Sequence, residues 1–320
     1  MADSAPSEPN RQQYNRDDDE IDIFDLWHLV LKRKWIVVGF TLLFFVVSVF
    51  YALSLPNMYK STVVLLPAES AQGGGLAGLA GQLGVGGIAA LAGVNLGSSG
   101  TDKAVEALEI LTSWSFIEEF IEEQGIAAKV FAVAGWDQEG NELIYDADVY
   151  DSARDVWTRE PPKGKEPKPS SWELYQKFKE YLSVTNDSVK GFTNIEIEYY
   201  SAEISKKWVD ALVFKINQRF KEEDARDAEK NILFLKQQIE ETSLTSMQTV
   251  FFDLIEDQTK TLMLAEGSNE YVFRTVNEAR VQEEKSGPKR ALISIFGSIL
   301  GLAIGCVVTV VRGLRVNSSL

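Results

Sequence analysis

WIVVGFTLLFFVVSVFYALSL, residues 35–55, is an uncharged and almost wholly apolar run of 21 residues. A helix that crosses a bilayer needs roughly 20 such residues. A second run of the same length, ALISIFGSILGLAIGCVVTVV, occupies residues 291–311. Both runs therefore predict membrane-spanning helices. A buried core helix is the alternative for each run, and a cleavable signal peptide is a further alternative for the first, although no small-residue cleavage site follows it before Pro56.

Basic residues flank the outer ends of both runs. The flanking residues are Lys32, Arg33 and Lys34 before the first run, and Arg312 and Arg315 after the second. Because short basic flanks remain in the cytoplasm, both termini are predicted to be cytoplasmic and the middle of the chain to lie outside. The predicted segments are a cytoplasmic lead at 1–34, membrane helices at 35–55 and 291–311, an outer domain at 56–290 and a cytoplasmic tail at 312–320.

The composition excludes several classes of function. The net charge of −15 makes nucleic acid an improbable partner, because phosphate binding depends on clustered Lys and Arg. The single cysteine, Cys306, lies in the second apolar run, and the single histidine, His28, precedes the first. The outer domain therefore lacks the residues for Ser-His-Asp or Cys-His catalysis and for His or Cys zinc sites. We predict no catalytic residue, no cofactor site and no metal site.

The glycine-rich segment at residues 73–100 matches no phosphate-binding loop, because no G-x-x-x-x-G-K-[ST] occurs in it. We expect a close-packed or mobile segment there. Acidic and aromatic residues follow further along the chain, and these side chains suit either stacking on sugars or packing in the core. They are Trp136, Asp137, Tyr145, Trp157 and Trp172.

The outer domain alternates between helical and strand patterns. Residues 59–66 read as a strand, as do residues 182–186, 192–200 and 271–276, with Lys190 and Gly191 available for a hairpin turn. Helical spacing runs through residues 103–123, and Ser170 with Glu173 forms a capping box before a short helix that ends near Leu182. If the first and last strands share one sheet, the segment between them must fold out and back.

Residues 201–266 are predicted to form long helices, since 192–266 contain neither glycine nor proline. The weakest helical stretch, residues 242–246, is the candidate break. We expect this extension to pack side by side with other copies, with Ile232, Leu235 and Ile239 as the candidate oligomer-contact residues, and an isolated helical stalk is the alternative. The predicted fold class is an α+β membrane protein, in which two transmembrane helices flank an α/β base domain with a long helical extension.

Three stretches resemble the Wzz family of polysaccharide chain-length determinants. DEIDIF at residues 19–24 is similar to the family's amino-terminal signature, and Tyr59–Pro67 is similar to its first strand. The most specific resemblance is residues 252–290, which include DLIEDQTKTLMLAEGSNEYVFRTV and KSGP. Relatives usually carry prolines near 277–279 and 281–283, whereas only Pro288 is present here. Pro288, Lys289 and Arg290 are the candidate membrane-entry motif.

The resemblance implies a non-enzymatic protein of the bacterial inner membrane with a periplasmic main domain. It further implies assembly into a homo-oligomeric ring that sets the modal chain length of O-antigen made by a separate membrane polymerase. The lipid bilayer and the growing polysaccharide are the other implied partners. Related capsule co-polymerases carry a cytoplasmic kinase, which we expect to be absent because about nine residues follow Val311.

Three alternatives remain beside this interpretation. In the first alternative, the protein controls the length or export of a capsule or exopolysaccharide instead of O-antigen. A two-span sensor is the second, although its cytoplasmic segments are too short for an output domain. A glycosidase or transferase is the third, since carboxylate pairs are abundant in the chain.

Overall fold

The computed structural model describes residues 34–68, 99–187 and 190–317. These residues form two units, one of residues 34–55 with 289–317 and one of residues 56–288. The predicted amino-terminal signature at 19–24 and residues 73–98 of the glycine-rich segment lie outside the described residues. The mixture of helices and sheet with two candidate membrane helices confirms the predicted fold class.

The first unit consists of two helices, α1 and α8. Helix α1 is Lys34–Ser54 and helix α8 is Arg290–Asn317. Each is long and apolar enough to cross a membrane, over Lys34–Ser54 and Arg290–Arg312 respectively. Large apolar side chains cover their outer surfaces, and Trp35 and Phe50 are 79% and 71% exposed. An apolar exterior of this kind suits a lipid surround.

The second unit is built on a small antiparallel sheet with helices against one face. Its elements are β1 (Tyr59–Pro67), α2 (Ser99–Thr112), α3 (Trp114–Gln124), α4 (Ala127–Phe131), β2 (Val133–Asp137), β3 (Glu142–Tyr145), β4 (Tyr150–Asp151), β5 (Val156–Trp157), α5 (Ser171–Tyr181), β6 (Leu182–Asp187), β7 (Phe192–Tyr199), α6 (Ala202–Glu241), α7 (Thr245–Gly267) and β8 (Phe273–Asn277). The strand order in the main sheet is β6-β7-β1-β8. The first and last strands of the predicted sheet therefore pair directly.

Strict alternation of burial along β1 and β7 gives the sheet one inner face. Tyr59 pairs with Tyr199 and Val63 with Ile195, and all four side chains are buried. On the opposite face, Lys60 forms an ion pair with Glu196 at 3.0 Å. The alternation of apolar and polar residues in the sequence of β7 predicts this arrangement, because successive side chains of a strand point to opposite faces.

The first half of α6 covers the inner face of the sheet. Its buried side chains recur at helical spacing: Trp208, Val209, Leu212, Val213, Ile216 and Phe220. Helices α3 and α5 extend the same core, where Phe120 packs on Phe178 with ring centroids 5.6 Å apart. One continuous apolar core therefore holds the base of the long helix and the smaller elements together.

Two local predictions can be compared with the structure. The capping box at α5 is present, with Ser170 and Glu173 bonded reciprocally, so this prediction is confirmed. The helical spacing over 103–123 belongs to two helices, because the chain breaks at Ser113 between α2 and α3. The Ser113 hydroxyl accepts from the amide of Phe116 and donates to the carbonyl of Ile110. This capping serine ends one helix and begins the next without interrupting the apolar spacing.

Candidate functional surfaces: the membrane helices and the helical hairpin

Three glycines on α8 allow it to pack closely against α1. A Cβ built on Gly301 would lie 2.7 Å from the Phe44 Cβ and 2.9 Å from the Phe40 carbonyl oxygen. A Cβ on Gly305 would lie 3.0 Å from the Val37 Cα, and one on Gly297 would overlap Ser48. Small residues at four-residue spacing let the backbones of two membrane helices approach each other. The order of these contacts makes the pair antiparallel.

The antiparallel pairing brings two of the predicted topology residues to the same end of the helix pair. Lys34 is the first residue of α1, and Arg312 lies near the last turns of α8. Both side chains are exposed. Lys32 and Arg33 lie outside the described residues. The backbone at Arg315 continues α8, but its side chain is not described.

The predicted membrane-entry residues occupy the approach to α8. Gly287, just before Pro288, forms an isolated bridge with Met58. The carbonyl of Lys289 accepts from the amide of Leu292 at the start of the helix, and a guanidinium nitrogen of Arg290 donates to the Leu55 carbonyl at 3.2 Å. Residues just before the second apolar run therefore contact residues at or just after the end of the first, Gly287 with Met58 in one unit and Arg290 with Leu55 in the other.

Helices α6 and α7 form the helical extension predicted from the sequence. The helix breaks at residues 242–244, where Gln248 donates to the carbonyls of Ile239 and Thr242. Further down, Asn231 donates to the Gln258 side chain at 3.2 Å. The two helices therefore run side by side as an antiparallel hairpin.

The three candidate oligomer-contact residues lie on the inner side of this hairpin. Together with the buried Ala228, Ile232, Leu235 and Ile239 follow the alternating four- and three-residue spacing of a coiled-coil seam. Leu235 is 9% exposed, and Ile232 and Ile239 are half-buried. Contact between copies through these residues stays a prediction, and in this structure their side chains face the partner helix of the same chain.

Other apolar side chains of the hairpin are exposed, and our sequence reasoning did not single them out. Relative to the seam, the spacing places Leu233, Phe252 and Met263 on one side, called here the first flank. It places Phe234, Val250 and Leu264 on the other side, the second flank. These six residues are between 46% and 68% exposed. The sequence signal for the two flanks is the presence of large apolar residues between the seam positions of a helix pattern.

Buried and partly buried polar contacts fix the hairpin to the sheet and helices beneath it. The Asn217 side chain on α6 accepts from the amides of Val272 and Phe273, both at 2.8 Å, and donates to the Phe273 carbonyl at 3.1 Å. Further along α6, the Asp224 carboxylate accepts from Lys103 at 2.5 Å and from the Tyr271 hydroxyl at 2.6 Å. Burial and the bond to Asp224 raise the pKa of Tyr271, which keeps its hydroxyl a donor.

The acidic and aromatic residues noted in the sequence pack in different places. Trp136 meets Tyr59 edge-on at 5.3 Å, while Trp172 packs on Trp114 at 5.1 Å. Trp157 packs on Tyr150 at 5.0 Å. The structure therefore does not bring all of them to one surface.

Comparison with protein-family models matches residues 19–124 to Wzz, chain length determinant protein. Over these residues the chain is similar to the Wzz family. The matched residues include α1, β1, α2 and α3. Residues 252–290, quoted above for their resemblance to Wzz proteins, lie outside the matched range, so the sequence pattern alone supports the resemblance there.

Two solved structures are distant likenesses of this chain. A full-length bacterial polysaccharide co-polymerase is 11% identical with a TM-score of 0.38, covering 92% of this chain and 99% of the other. A fragment of WzzB, a polysaccharide co-polymerase from Salmonella Typhimurium, is 14% identical with a TM-score of 0.31, covering 72% of this chain and 100% of the other. Comparison with curated proteins finds no match.

Proposed function

We propose that this protein is a polysaccharide co-polymerase of the bacterial inner membrane. In this proposal it sets the modal chain length of O-antigen made by a separate membrane polymerase, as an oligomeric periplasmic scaffold and not as an enzyme. The observation that carries the proposal is the match of residues 19–124 to the Wzz family of chain length determinants. Two candidate membrane helices enclosing one large domain support the location.

The experiment that tests this function compares lipopolysaccharide from the bacterium that carries the gene, with and without the gene, on a gel. Loss of the gene should turn a clustered ladder of chain lengths into a random one weighted towards short chains, and a plasmid copy should restore the cluster. Capsule and exopolysaccharide from the same cells should be sized in parallel. A change in one of those polymers alone would reassign the substrate, and no change in any of them would refute the proposal.

The positions of Lys34 and Arg312 support cytoplasmic termini, because both lie at the same end of the paired membrane helices. We predict that alkaline phosphatase fused after Asp187 is active, since this enzyme folds only outside the cytoplasm. The same reporter fused after Arg315 should be inactive. Activities in the reverse order would contradict the proposed orientation.

The two apolar flanks of the hairpin support assembly into a ring. The two flanks carry different residues. If the first flank of one copy packs on the second flank of the next, the contact is heterologous. Repeated heterologous contacts close into a ring when the rotation between copies permits it. The exposed apolar residues of the two flanks form two rows along the hairpin, and contact between copies would remove this apolar area from water. The flanks are therefore better candidates for contact between copies than the inner seam.

Replacing Leu233 and Phe252 with glutamate should disrupt this contact. We expect the detergent-purified variant to shift from a species of several copies towards monomers in mass photometry, because two carboxylates would be buried at each interface. The same variant should shorten and broaden the polysaccharide ladder.

A matched control makes the same change of two in net charge elsewhere on the hairpin, as Lys230→Gln with Gln237→Glu. The helical spacing places both residues away from the seam and outside both flanks. The control should assemble like the unaltered protein. Equal assembly of both variants would exclude the first flank as an interface. Leu235→Asp does not test this contact, since it would place a charge inside the hairpin itself.

A further inference from the structure

A cleft of about 560 Å³ opens in the unit of residues 56–288, and none of its lining residues belongs to the helical hairpin. Its walls are the end of α3, the start of α4, the β4-β5 hairpin and the start of α5. This volume lies within the range of about 300 to 1,000 Å³ found for pockets that bind small ligands.

The floor of the cleft is aromatic and apolar. It contains Trp157, Tyr150 and Leu174, of which Tyr150 and Leu174 are buried and Trp157 is half-buried. Trp157 is held from two sides, by Tyr150 at 5.0 Å and by Phe131 at 6.2 Å between ring centroids. An indole fixed in this way offers a flat apolar surface at little entropic cost.

Carboxylates surround this floor. Glu118 and Glu122 stand on successive turns of α3 and line one side, and Asp155 lines the β4-β5 side. The Tyr150 hydroxyl donates to Asp155 and fixes its position. That hydrogen bond is also the main reason why the pKa of Tyr150 is raised to about 12, so the phenol stays protonated and remains a donor. Lys168 is the one basic side chain that lines the described cleft.

The cleft is preformed by the cap of α5. Glu173 accepts from Arg159 at 3.0 Å and from the Ser170 amide at 2.9 Å, and Lys165 is 3.1 Å away. The bond from Arg159 is the largest contribution to a pKa of about 2 for Glu173, so this carboxylate is ionised at neutral pH. Arg159 also stacks on Phe131, 4.9 Å from the ring centroid, behind Trp157. These contacts tie the loop before α5 to the aromatic floor.

The lining favours one class of ligand. Three carboxylates against one lysine disfavour a phosphate or another anion. The charged rim disfavours a purely apolar ligand, because its carboxylates would lose water without gaining hydrogen bonds. A pyranose ring has a face of C–H groups that stacks on an aromatic ring and hydroxyls at its edge that donate to carboxylates. Such a ring satisfies both the floor and the rim.

We propose that this cleft is a saccharide-binding site that holds sugar units of the polymer through Trp157, Asp155, Glu118 and Glu122. The identity of the sugar as part of a growing chain rests on the proposed function, whereas the fit of a pyranose rests on the cleft alone. The site lies on the base of each copy, so an assembled ring would present one such cleft per subunit.

The test uses the full chain in detergent. The probes are oligosaccharides of one to several repeat units, released by mild acid from the lipopolysaccharide and from the extracellular polysaccharide of the bacterium that carries the gene. Saturation-transfer NMR detects their binding and a titration gives Kd. We expect binding by the unaltered protein and a loss of about tenfold or more in affinity for Trp157→Ala, the size typical of a buried aromatic anchor.

Two further variants keep the outcome decisive. Glu118→Gln with Glu122→Gln changes the rim without touching the core, and we expect it to weaken binding about fivefold through weaker acceptors. Trp172→Ala is the matched control, since Trp172 is exposed, packs on Trp114 and does not line the cleft. It should bind like the unaltered protein.

The outcomes separate this proposal from the proposed function. If no oligosaccharide binds, or if the cleft variants bind as well as Trp172→Ala does, the saccharide site is refuted even when the gene controls chain length. If binding depends on Trp157 but loss of the gene leaves every polymer unchanged, the saccharide site stands and the length-control function fails.

Discussion

Replacement of Asn217 by leucine is expected to lower the free energy of unfolding of the base by about 3 kcal/mol or more. Leucine has nearly the same size, so the packing volume is kept. The substitution would leave two amides and one carbonyl, at Val272 and Phe273, without the partners they have now. These backbone groups are fully buried, and water cannot replace the lost bonds without opening the core.

Hydrogen exchange measured by mass spectrometry provides the direct test, because the peptide that contains Val272 and Phe273 should lose protection. Thermal unfolding in the same detergent would report the loss of stability. Asn231→Leu is the matched control: it removes an asparagine from the same helix, but one whose bond to Gln258 is exposed. We expect that control to change stability by about 0.5 kcal/mol or less. Equal protection in both variants would show that Asn217 does not hold the start of β8.

The contacts of Asn217 also explain why the last strand begins later than the sequence predicts. The pattern of residues 271–276 is that of a strand, yet β8 is Phe273–Asn277. The Val272 amide bonds to the side chain of Asn217, and the Val272 carbonyl accepts from Ala68. A side chain that lies 55 residues away along the chain substitutes for part of the strand ladder. Nothing local in the sequence indicates that exchange.

Features with a local cause were predictable. Alternation along β7 gives the buried face of the sheet, and the Ser170 and Glu173 pair gives the start of α5. The helix break at residues 242–244 follows from a polar stretch with β-branched residues, which are poorer helix formers. In each case the cause lies within a few neighbouring residues, so the local sequence is enough to predict the feature.

The candidate surfaces were predictable only in part, because the sequence does not disclose which helix face is already occupied. Leu235 and Leu233 are equally apolar and lie two residues apart. Leu235 is 9% exposed and Leu233 is 68% exposed, since the neighbouring α7 covers one side of α6. Likewise, the cleft floor joins Trp157 to Leu174 through tertiary packing, and no spacing rule relates them.

The second large effect is expected from Gly301→Leu in the membrane helix pair. At this position even a single added carbon would lie 2.9 Å from the Phe40 carbonyl oxygen and 3.0 Å from the Thr41 Cα. Both are backbone atoms and cannot rotate away, so α1 and α8 must separate along their length. Association of membrane helices depends on close packing, because the lipid surround provides no hydrophobic drive between them. A separation of this kind should therefore cost most of the pairing energy.

Spin labels on the lipid-facing positions Leu43 and Ile299, which are each 56% exposed, would measure this change by electron–electron double resonance. The labels are attached to introduced cysteines in a Cys306→Ala background, and labelled protein is diluted with unlabelled protein to exclude distances between copies. We expect a narrow distribution of distances between the two labels in the parent, and a longer, broader one in Gly301→Leu.

Gly39→Leu is the matched control, since nothing lies within 4 Å of a Cβ built there. A distribution in Gly301→Leu that matches Gly39→Leu would mean that the glycine contacts do not determine the pairing. The expected contrast would instead establish that close approach at Gly301 sets the distance between the two membrane helices.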